Sequence, residues 1–204
     1  MRIGYRTAGL GELDFTSKLQ LCHRLNLTAI EVTLREFQSE APEAVRNRAH
    51  AMGIAITAVA GAMNPSVPSA LDETLAVCEQ NLTLCRALGV DFLYTRSMWP
   101  EAEVPQPDTW DHLIPTMRHL AQMCADAGVR LGLEVDHGCF IDHLERAERL
   151  MEAVDHDNLY FNFDPTNFYL GGSDPLTVLD RHHHRILNGH IKDGVYRYRR
   201  REEV

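Results

Sequence analysis

Three polar residues in the second half of the chain have the types and the spacing of a metal site. Glu134, Asp164 and His190 each end a short apolar segment, and they lie 30 and 26 residues apart. These separations are close to the length of one strand–helix unit, about 30 residues. If the three segments are neighbouring parallel strands, their C-terminal ends bring the three side chains to one point.

Two carboxylates and one imidazole are suitable ligands for one divalent metal ion, which could be Mn²⁺, Mg²⁺, Co²⁺ or Zn²⁺. Crowded buried carboxylates repel each other, and a divalent ion between them removes that conflict. Any one of the three residues could equally cap a helix or form a hydrogen bond with a loop. Their common position at the ends of successive apolar segments favours a metal site over three separate structural roles.

A repeat of short apolar segments and amphipathic helices runs through the chain and would position these residues. Helical spacing is clearest within 71–85, 110–124 and 144–154, where apolar side chains recur every three or four positions. Gly53, Gly89 and Gly128 each precede an apolar segment and suit the left-handed position after a helix. The predicted strands are 2–6, 29–33, 54–60, 91–96, 130–134, 159–164 and 186–191. Strands that alternate with helices predict a parallel sheet, either doubly wound or closed into a barrel.

Further polar residues lie at or just beyond the ends of these predicted strands. His137, Asn167, Lys192 and Asp193 are candidates for substrate binding or for support of the site. Glu31 ends the second predicted strand, where a structural and a functional role are equally supported. Arg6, Asn64 and Arg96 follow other strands and could line the mouth of a barrel.

Composition excludes several classes of function. The 204 residues include 29 acidic and 20 basic side chains, for a formal net charge of −9, which disfavours nucleic acid as a partner. Every apolar run is too short to span a bilayer, so we expect no membrane partner. The five cysteines form no CxxC pair. Reduced core cysteines and an N-terminal strand in place of a signal sequence predict a cytoplasmic location.

Three motifs resemble those of the xylose-isomerase-like barrel family, which contains sugar and sugar-phosphate isomerases and epimerases. The stretch 133–137 resembles the family's LExxH strand end, 163–167 its FDPxN form and 190–193 its HxKD. The resemblance implies an α/β fold, the (β/α)8 TIM-type barrel. It also implies Glu134, Asp164 and His190 as ligands of one divalent metal ion, with Glu134 serving in addition as a catalytic base.

The resemblance also implies a second glutamate ligand on an eighth strand. Seven strands are predicted before Val204, and Glu202 and Glu203 stand in a charged tail without a strand around them. We therefore expect residues 1–204 to form a single, C-terminally incomplete barrel domain. A shortened sequence, a truncated gene product or a partner chain could account for this. A homo-oligomer would cover the open barrel edge, because an unpaired strand edge invites pairing.

The leading functional hypothesis is a metal-dependent sugar or sugar-phosphate isomerase or epimerase. It would abstract a proton next to a carbonyl and pass through a metal-bound ene-diolate, as the resemblance implies. A second hypothesis is a dehydratase of an inosose or a dehydroshikimate-like cyclic polyol on the same metal site. An abasic-site endonuclease, disfavoured by the acidic charge, and a truncated barrel without catalytic activity are the remaining hypotheses. The first two imply a small sugar or polyol as substrate.

Overall fold

Parallel strands form one sheet in the computed structural model, which describes residues 2–11, 13–37, 40–98 and 108–192. Within these residues the sheet has seven strands, and they pair in sequence order from first to last. The strands are β1 (Gly4–Arg6), β2 (Ala29–Thr33), β3 (Ala55–Ala60), β4 (Phe92–Thr95), β5 (Arg130–Glu134), β6 (Leu159–Phe163) and β7 (Ile186–Gly189).

Helices connect the strands on the outside of the sheet. The described α-helices are α1 (Phe15–Arg24), α2 (Pro42–Ala51), α3 (Leu71–Leu88), α4 (Thr109–Asp126), α5 (Leu144–Val154), α6 (Pro165–Leu170) and α7 (Pro175–His182). Helices α1 to α5 each follow the strand of the same number, and α6 and α7 both lie between β6 and β7. This alternation confirms the predicted α/β class.

Side chains on successive strand residues point to opposite faces of the sheet, and the two faces differ in character. The outer face, with Leu131, Leu133 and Phe161, belongs to a large apolar core shared with the helices. The inner face carries a separate small cluster in which Phe92 and Tyr94 pack with two alanines, and Tyr160 lies against them. Polar side chains occupy much of the remaining inner face, so a ligand-binding or catalytic site is expected on this face.

A contact across the inside of the sheet distinguishes a barrel from a flat, doubly wound sheet. The Asn188 side chain of β7 donates a hydrogen bond to Glu31 of β2, with an Nδ2–Oε2 distance of 3.2 Å. These strands are not neighbours in the hydrogen-bonded order. Their inward side chains therefore meet because the sheet curves round, which is the architecture of a TIM-type barrel. This geometry settles the choice that periodicity left open.

The observed strands match the predictions to within two residues at either end, and five of the seven are one or two residues shorter than predicted. Strands β2 and β5 have the predicted limits, whereas β6 ends at Phe163 and β7 at Gly189. Asp164 leaves the strand because it is the N-cap of α6. His190 lies just beyond β7, although its amide still donates to the carbonyl of Phe163 at 2.8 Å. Both residues thus stand at the C-terminal rim.

The predicted left-handed glycines and core cysteines are also confirmed. Gly53, Gly89 and Gly128 have φ angles of 71°, 69° and 70°, in the left-handed region. All five cysteines lie within the described residues and are buried and unpaired. In the described part of the chain, no helix is both long enough and apolar enough to cross a bilayer. Pairing of a second copy against the β1 and β7 edges stays a prediction.

Gly132 leaves room for the aromatic rings on the inner face, and we expect a larger residue there to destabilise the fold. A Cβ atom at this position would lie 2.5 Å from Phe92 Cζ and 2.9 Å from Tyr94 Cβ. Overpacking of this kind costs about 1–3 kcal/mol, so Gly132→Ala should lower the free energy of unfolding by that amount in urea titrations. Gly138→Ala is the control, because its Cβ would lie 3.5 Å from its nearest neighbour, Asp136. Equal effects of the two variants would contradict this account of Gly132.

Candidate metal centre

The structure brings the three predicted ligands together at the C-terminal rim of the barrel. One ligand atom from each of Glu134, Asp164 and His190 lies within 4.8 Å of the others. The two carboxylates are 3% and 1% exposed, so water compensates little of their charge. The convergence predicted from the spacing along the chain is therefore present in the fold.

Glu134 is the last residue of β5, and its two carboxylate oxygens have different surroundings. Oε1 accepts a long hydrogen bond of 3.5 Å from Asn167 Nδ2 and lies 3.2 Å from His190 Nδ1. Oε2 is buried and has no hydrogen-bond partner among the described residues. A buried carboxylate oxygen without a partner is costly, so Oε2 is the atom that a bound cation would satisfy.

Asp164 is held by the start of α6. Its Oδ1 atom accepts a hydrogen bond from the backbone amide of Asn167 at 3.0 Å, which caps the helix. Pro165 occupies the first helical turn, where its missing N–H costs nothing. Because Oδ1 is engaged as the cap, Oδ2 faces the cluster, where it lies 2.9 Å from Lys192 Nζ.

The imidazole of His190 lies between two carboxylates. Nδ1 is 3.2 Å from Glu134 Oε1, and Nε2 is 3.0 Å from Glu31 Oε2. Burial by itself would lower the pKa of His190, but the hydrogen bonds and charges of Glu134 and Glu31 outweigh it and raise this pKa from 6.5 to about 9. Without a metal ion, the ring therefore carries a proton on each nitrogen at neutral pH.

The residues predicted to bind substrate take different positions. Asn167 is fully buried and bridges the site, since its side chain contacts Glu134 and accepts a hydrogen bond of 2.7 Å from Lys192. His137 lies in the loop after β5, half-exposed, with Nδ1 3.6 Å from Asp136 Oδ1. Asp193 lies outside the described residues, as do Glu202 and Glu203. All four substrate-binding assignments stay predictions.

Glu31 joins the site from the opposite wall of the barrel. It is 6% exposed, and its Oε1 atom accepts a short hydrogen bond from the Tyr94 hydroxyl. Arg6 at the end of β1 forms an ion pair with the same oxygen, at 3.3 Å from its Nε. Burial and the neighbouring Glu31 charge raise the pKa of Tyr94 well above 10, so its hydroxyl stays a donor. Glu31 therefore contacts residues of the site, and whether its role is structural or functional stays open at this point.

Sequence reasoning missed Tyr94, Asn162 and Asn188, although a simple signal points to them. Each lies two residues before a residue singled out at a strand end, namely Arg96, Asp164 and His190. Strand residues two apart face the same side, so a polar residue at that spacing shares the inner face. Arg96 itself forms an ion pair with Asp136 in the next loop, with an NH1–Oδ2 distance of 2.9 Å.

The balance between acidic and basic side chains at this site shows whether its residues could accommodate a metal ion. Glu31, Glu134 and Asp164 are matched by Arg6, protonated His190 and Lys192. Replacement of one His190 proton by a divalent ion would keep the carboxylates compensated and would satisfy Glu134 Oε2. Two carboxylates and an imidazole also match the three-ligand pattern of catalytic metal sites, which leaves positions open for substrate. The residues present therefore fit a divalent ion.

Comparison with known proteins identifies the same kind of barrel. Inosose dehydratase of Geobacillus kaustophilus is 24% identical over 212 residues, an alignment that covers 96% of this chain and 68% of that protein. Inosose dehydratase of Geobacillus thermodenitrificans is 31% identical over 86 residues, which cover 42% of this chain and 29% of that protein. The chain thus spans about two thirds of the first relative, and a much smaller part of the second is aligned.

Solved structures agree on the fold at low sequence identity. A probable 3-DHS dehydratase, AsbF of Bacillus anthracis, has a TM-score of 0.83 at 20% identity, over 95% of this chain and 73% of that one. The 3-keto-D-glucoside 4-epimerase YcjR of E. coli has a TM-score of 0.80 at 16% identity, over 95% and 79%. IOLI protein with a bound zinc atom has a TM-score of 0.73 at 17% identity, over 85% and 66%.

A family model settles the classification that the three motifs indicated. The model describes the xylose isomerase-like TIM barrel, and it matches residues 19–203, which is most of the chain. The match includes all three strand-end residues of the candidate metal centre. This protein belongs to the xylose isomerase-like TIM barrel family.

Proposed function

We propose that this protein binds one divalent metal ion through Glu134, Asp164 and His190 and removes a proton next to the carbonyl group of a small sugar or cyclic polyol. The observation that carries the proposal is the convergence of these three side chains around a buried, unsatisfied oxygen, Glu134 Oε2. IOLI protein, which has the same fold, was solved with a bound zinc atom, and this supports a metal ion on this kind of barrel.

The surrounding side chains suit this chemistry. A divalent ion in such a site supplies a Lewis acid that polarises a carbonyl group and acidifies the neighbouring C–H bond. Glu134 would serve both as ligand and as base. With Oε2 on the ion and the Nδ1 proton of His190 displaced by it, Oε1 would keep the long 3.5 Å contact with Asn167 and would be the oxygen left to accept the proton. Lys192 places a half-exposed ammonium group at the rim, where it can donate a hydrogen bond to a substrate oxygen.

Dehydration is the outcome that we place first. The G. kaustophilus relative that aligns with nearly all of this chain is an inosose dehydratase. Loss of a hydroxyl group after proton removal also needs a proton donor, and the Lys192 ammonium lies beside the cluster. The substrate would then be a cyclic polyol with a carbonyl group, such as an inosose.

Epimerisation or isomerisation is the second candidate. It starts with the same proton removal, but a proton then returns to carbon and no hydroxyl group is lost, so the same three ligands, Glu134 among them, serve it equally. The three strand-end motifs, which resemble those of sugar isomerases and epimerases, favour this candidate. Both candidates take a small molecule as substrate, in keeping with the acidic net charge of −9.

Loss of the Glu134 carboxylate should greatly weaken metal binding. Glu134→Gln removes the charge and replaces one oxygen with an N–H group that cannot ligate a cation, so we expect the affinity for Zn²⁺ or Mn²⁺ to fall by about 100-fold or more. Metal content after dialysis and a competition titration with a chelator measure this. Glu148→Gln is the matched control, because Glu148 pairs with His182 between α5 and α7 at 2.8 Å, away from the cluster. Unchanged metal uptake and thermal stability in Glu134→Gln would contradict the site.

The metal-free protein should lose stability at alkaline pH through His190. A raised pKa in the folded state stabilises the protein fully below 6.5, and this contribution disappears as the pH rises through about 9. The difference corresponds to about 3 kcal/mol of unfolding free energy between pH 6 and pH 10. Urea denaturation in EDTA measures it, and His190→Gln serves as the reference without the group. A stability difference between the two proteins that stays constant with pH would show that His190 is not protonated in this way.

Solvent deuterium exchange tests the proposed reaction itself. The metal-loaded protein, incubated in D₂O with an inosose and a panel of ketoses, should exchange the hydrogen next to the carbonyl of its substrate. Proton NMR follows the exchange. A new ultraviolet absorption shows a dehydration product, and a new sugar on chromatography shows an epimer or isomer. Absence of exchange with every compound would contradict the proposed function, and exchange by Glu134→Gln at the wild-type rate would contradict Glu134 as the base.

A further inference from the structure

We infer that Glu31 is a positioning residue that determines which nitrogen of His190 faces the metal centre. It does so by holding the proton on Nε2 and leaving the lone pair on Nδ1 for the metal ion. This inference rests on the proposed metal site and adds a residue of β2 that lies across the barrel from the three ligands. The first step is the contact between the two side chains.

Each of the two carboxylates beside His190 contacts a different nitrogen. Glu31 Oε2 lies 3.0 Å from Nε2, and Glu134 Oε1 lies 3.2 Å from Nδ1. Glu134 is itself one of the proposed ligands, so Nδ1 is the nitrogen on the metal side. Asn162 Nδ2 lies 3.3 and 3.4 Å from the two nitrogens and does not discriminate between them. The choice of nitrogen therefore depends on Glu31.

The Glu31 carboxylate is itself held in place by donors. The Tyr94 hydroxyl donates to Oε1, and Arg6 forms an ion pair with the same oxygen at 3.3 Å. Asn188 Nδ2 donates to Oε2 at 3.2 Å, beside the contact from His190. The edge of the Tyr94 ring also packs against the imidazole, with ring centroids 5.4 Å apart. Glu31 is thus a buried acceptor with fixed direction.

A fixed acceptor selects one neutral form of the imidazole. If the ring proton were on Nδ1, the Nε2 lone pair would face Glu31 Oε2 at 3.0 Å, and two acceptors would then lie side by side with no proton between them. With the proton on Nε2, Glu31 accepts it and Nδ1 presents its lone pair to the metal centre. Carboxylates that hold a metal-binding histidine in this way raise metal affinity by about 10- to 100-fold.

In the neutral ring of His190, Glu31→Gln should move the proton from Nε2 to Nδ1. At the Oε1 position the Tyr94 hydroxyl donates a hydrogen bond and the Arg6 charge lies 3.3 Å away, whereas Asn188 alone donates beside His190 at Oε2 among the described residues. The glutamine oxygen should therefore take the Oε1 side, and its NH₂ group should face His190. Nε2 must then accept, so the ring keeps a single proton, on Nδ1. A metal ion at Nδ1 would have to displace the last ring proton, whereas in the wild type it displaces one of two. We expect zinc affinity to fall by about 10- to 100-fold.

The test combines zinc affinity with the position of the ring proton. Chelator competition with Zn²⁺ alone gives the affinity for the wild type, Glu31→Gln and the control Glu148→Gln, which removes another glutamate–histidine pair. Long-range ¹H–¹⁵N spectra of protein with ¹⁵N-labelled histidine give the protonated nitrogen, and the His190 signal is assigned by its loss in His190→Gln. The expected result is an Nε2 proton in the zinc-loaded wild type, protons on both nitrogens in the metal-free wild type, and a proton on Nδ1 alone in metal-free Glu31→Gln.

Three results would overturn the inference. Glu31→Gln could bind zinc as tightly as the wild type, its loss of affinity could be no larger than that of Glu148→Gln, or the wild type could bind zinc through Nε2. If Glu31→Gln does not fold by circular dichroism, Tyr94→Phe replaces it. That variant removes one donor to Glu31 and keeps the ring, so zinc affinity should fall by a smaller factor, and an unchanged affinity would overturn the inference. Glu134→Gln separates the two proposals. If it too binds zinc normally, the metal site is wrong, whereas zinc loss in Glu134→Gln alone refutes only the role of Glu31.

Discussion

Compensation of buried carboxylate charge is the constraint on which the rest of this site depends. Three carboxylates from β2, β5 and the start of α6 lie inside the rim of the barrel with little access to water. Buried charges of one sign are tolerated only when positive charge and hydrogen-bond donors surround them. Arg6, Lys192 and the protonated ring of His190 supply that charge here. The same arrangement prepares the site for a divalent cation.

The barrel provides this compensation through rigid elements. Glu134 ends a strand, Asp164 caps a helix and His190 directly follows a strand, so each side chain leaves a backbone that is fixed by hydrogen bonds. Asn167 links two of the three and Lys192, and Glu31 reaches the third from the opposite wall. Geometry held this closely is what a metal-dependent reaction requires of its protein.

Family membership and site geometry support different parts of the functional conclusion. The family model and the solved structures establish the barrel, and the convergence of Glu134, Asp164 and His190 supports the metal. Neither separates dehydration from epimerisation, because both reactions begin with the same proton removal. That choice depends on how a substrate's hydroxyl groups lie relative to Lys192 and to the loops of the rim.

The alternation of strands and helices, the left-handed glycines and the convergence of Glu134, Asp164 and His190 could be predicted from the sequence, because they depend on local periodicity and on spacing along the chain. The curvature of the sheet into a barrel could not, since it depends on contacts between Glu31 and residues more than 150 positions away. Only the tertiary structure decided that Asn167 is buried between the carboxylates and that Tyr94 and Asn188 belong to the site. Curvature of the sheet brings strands that are distant in sequence face to face across the barrel. The residue pattern within one strand does not indicate which residue of another strand it will contact there.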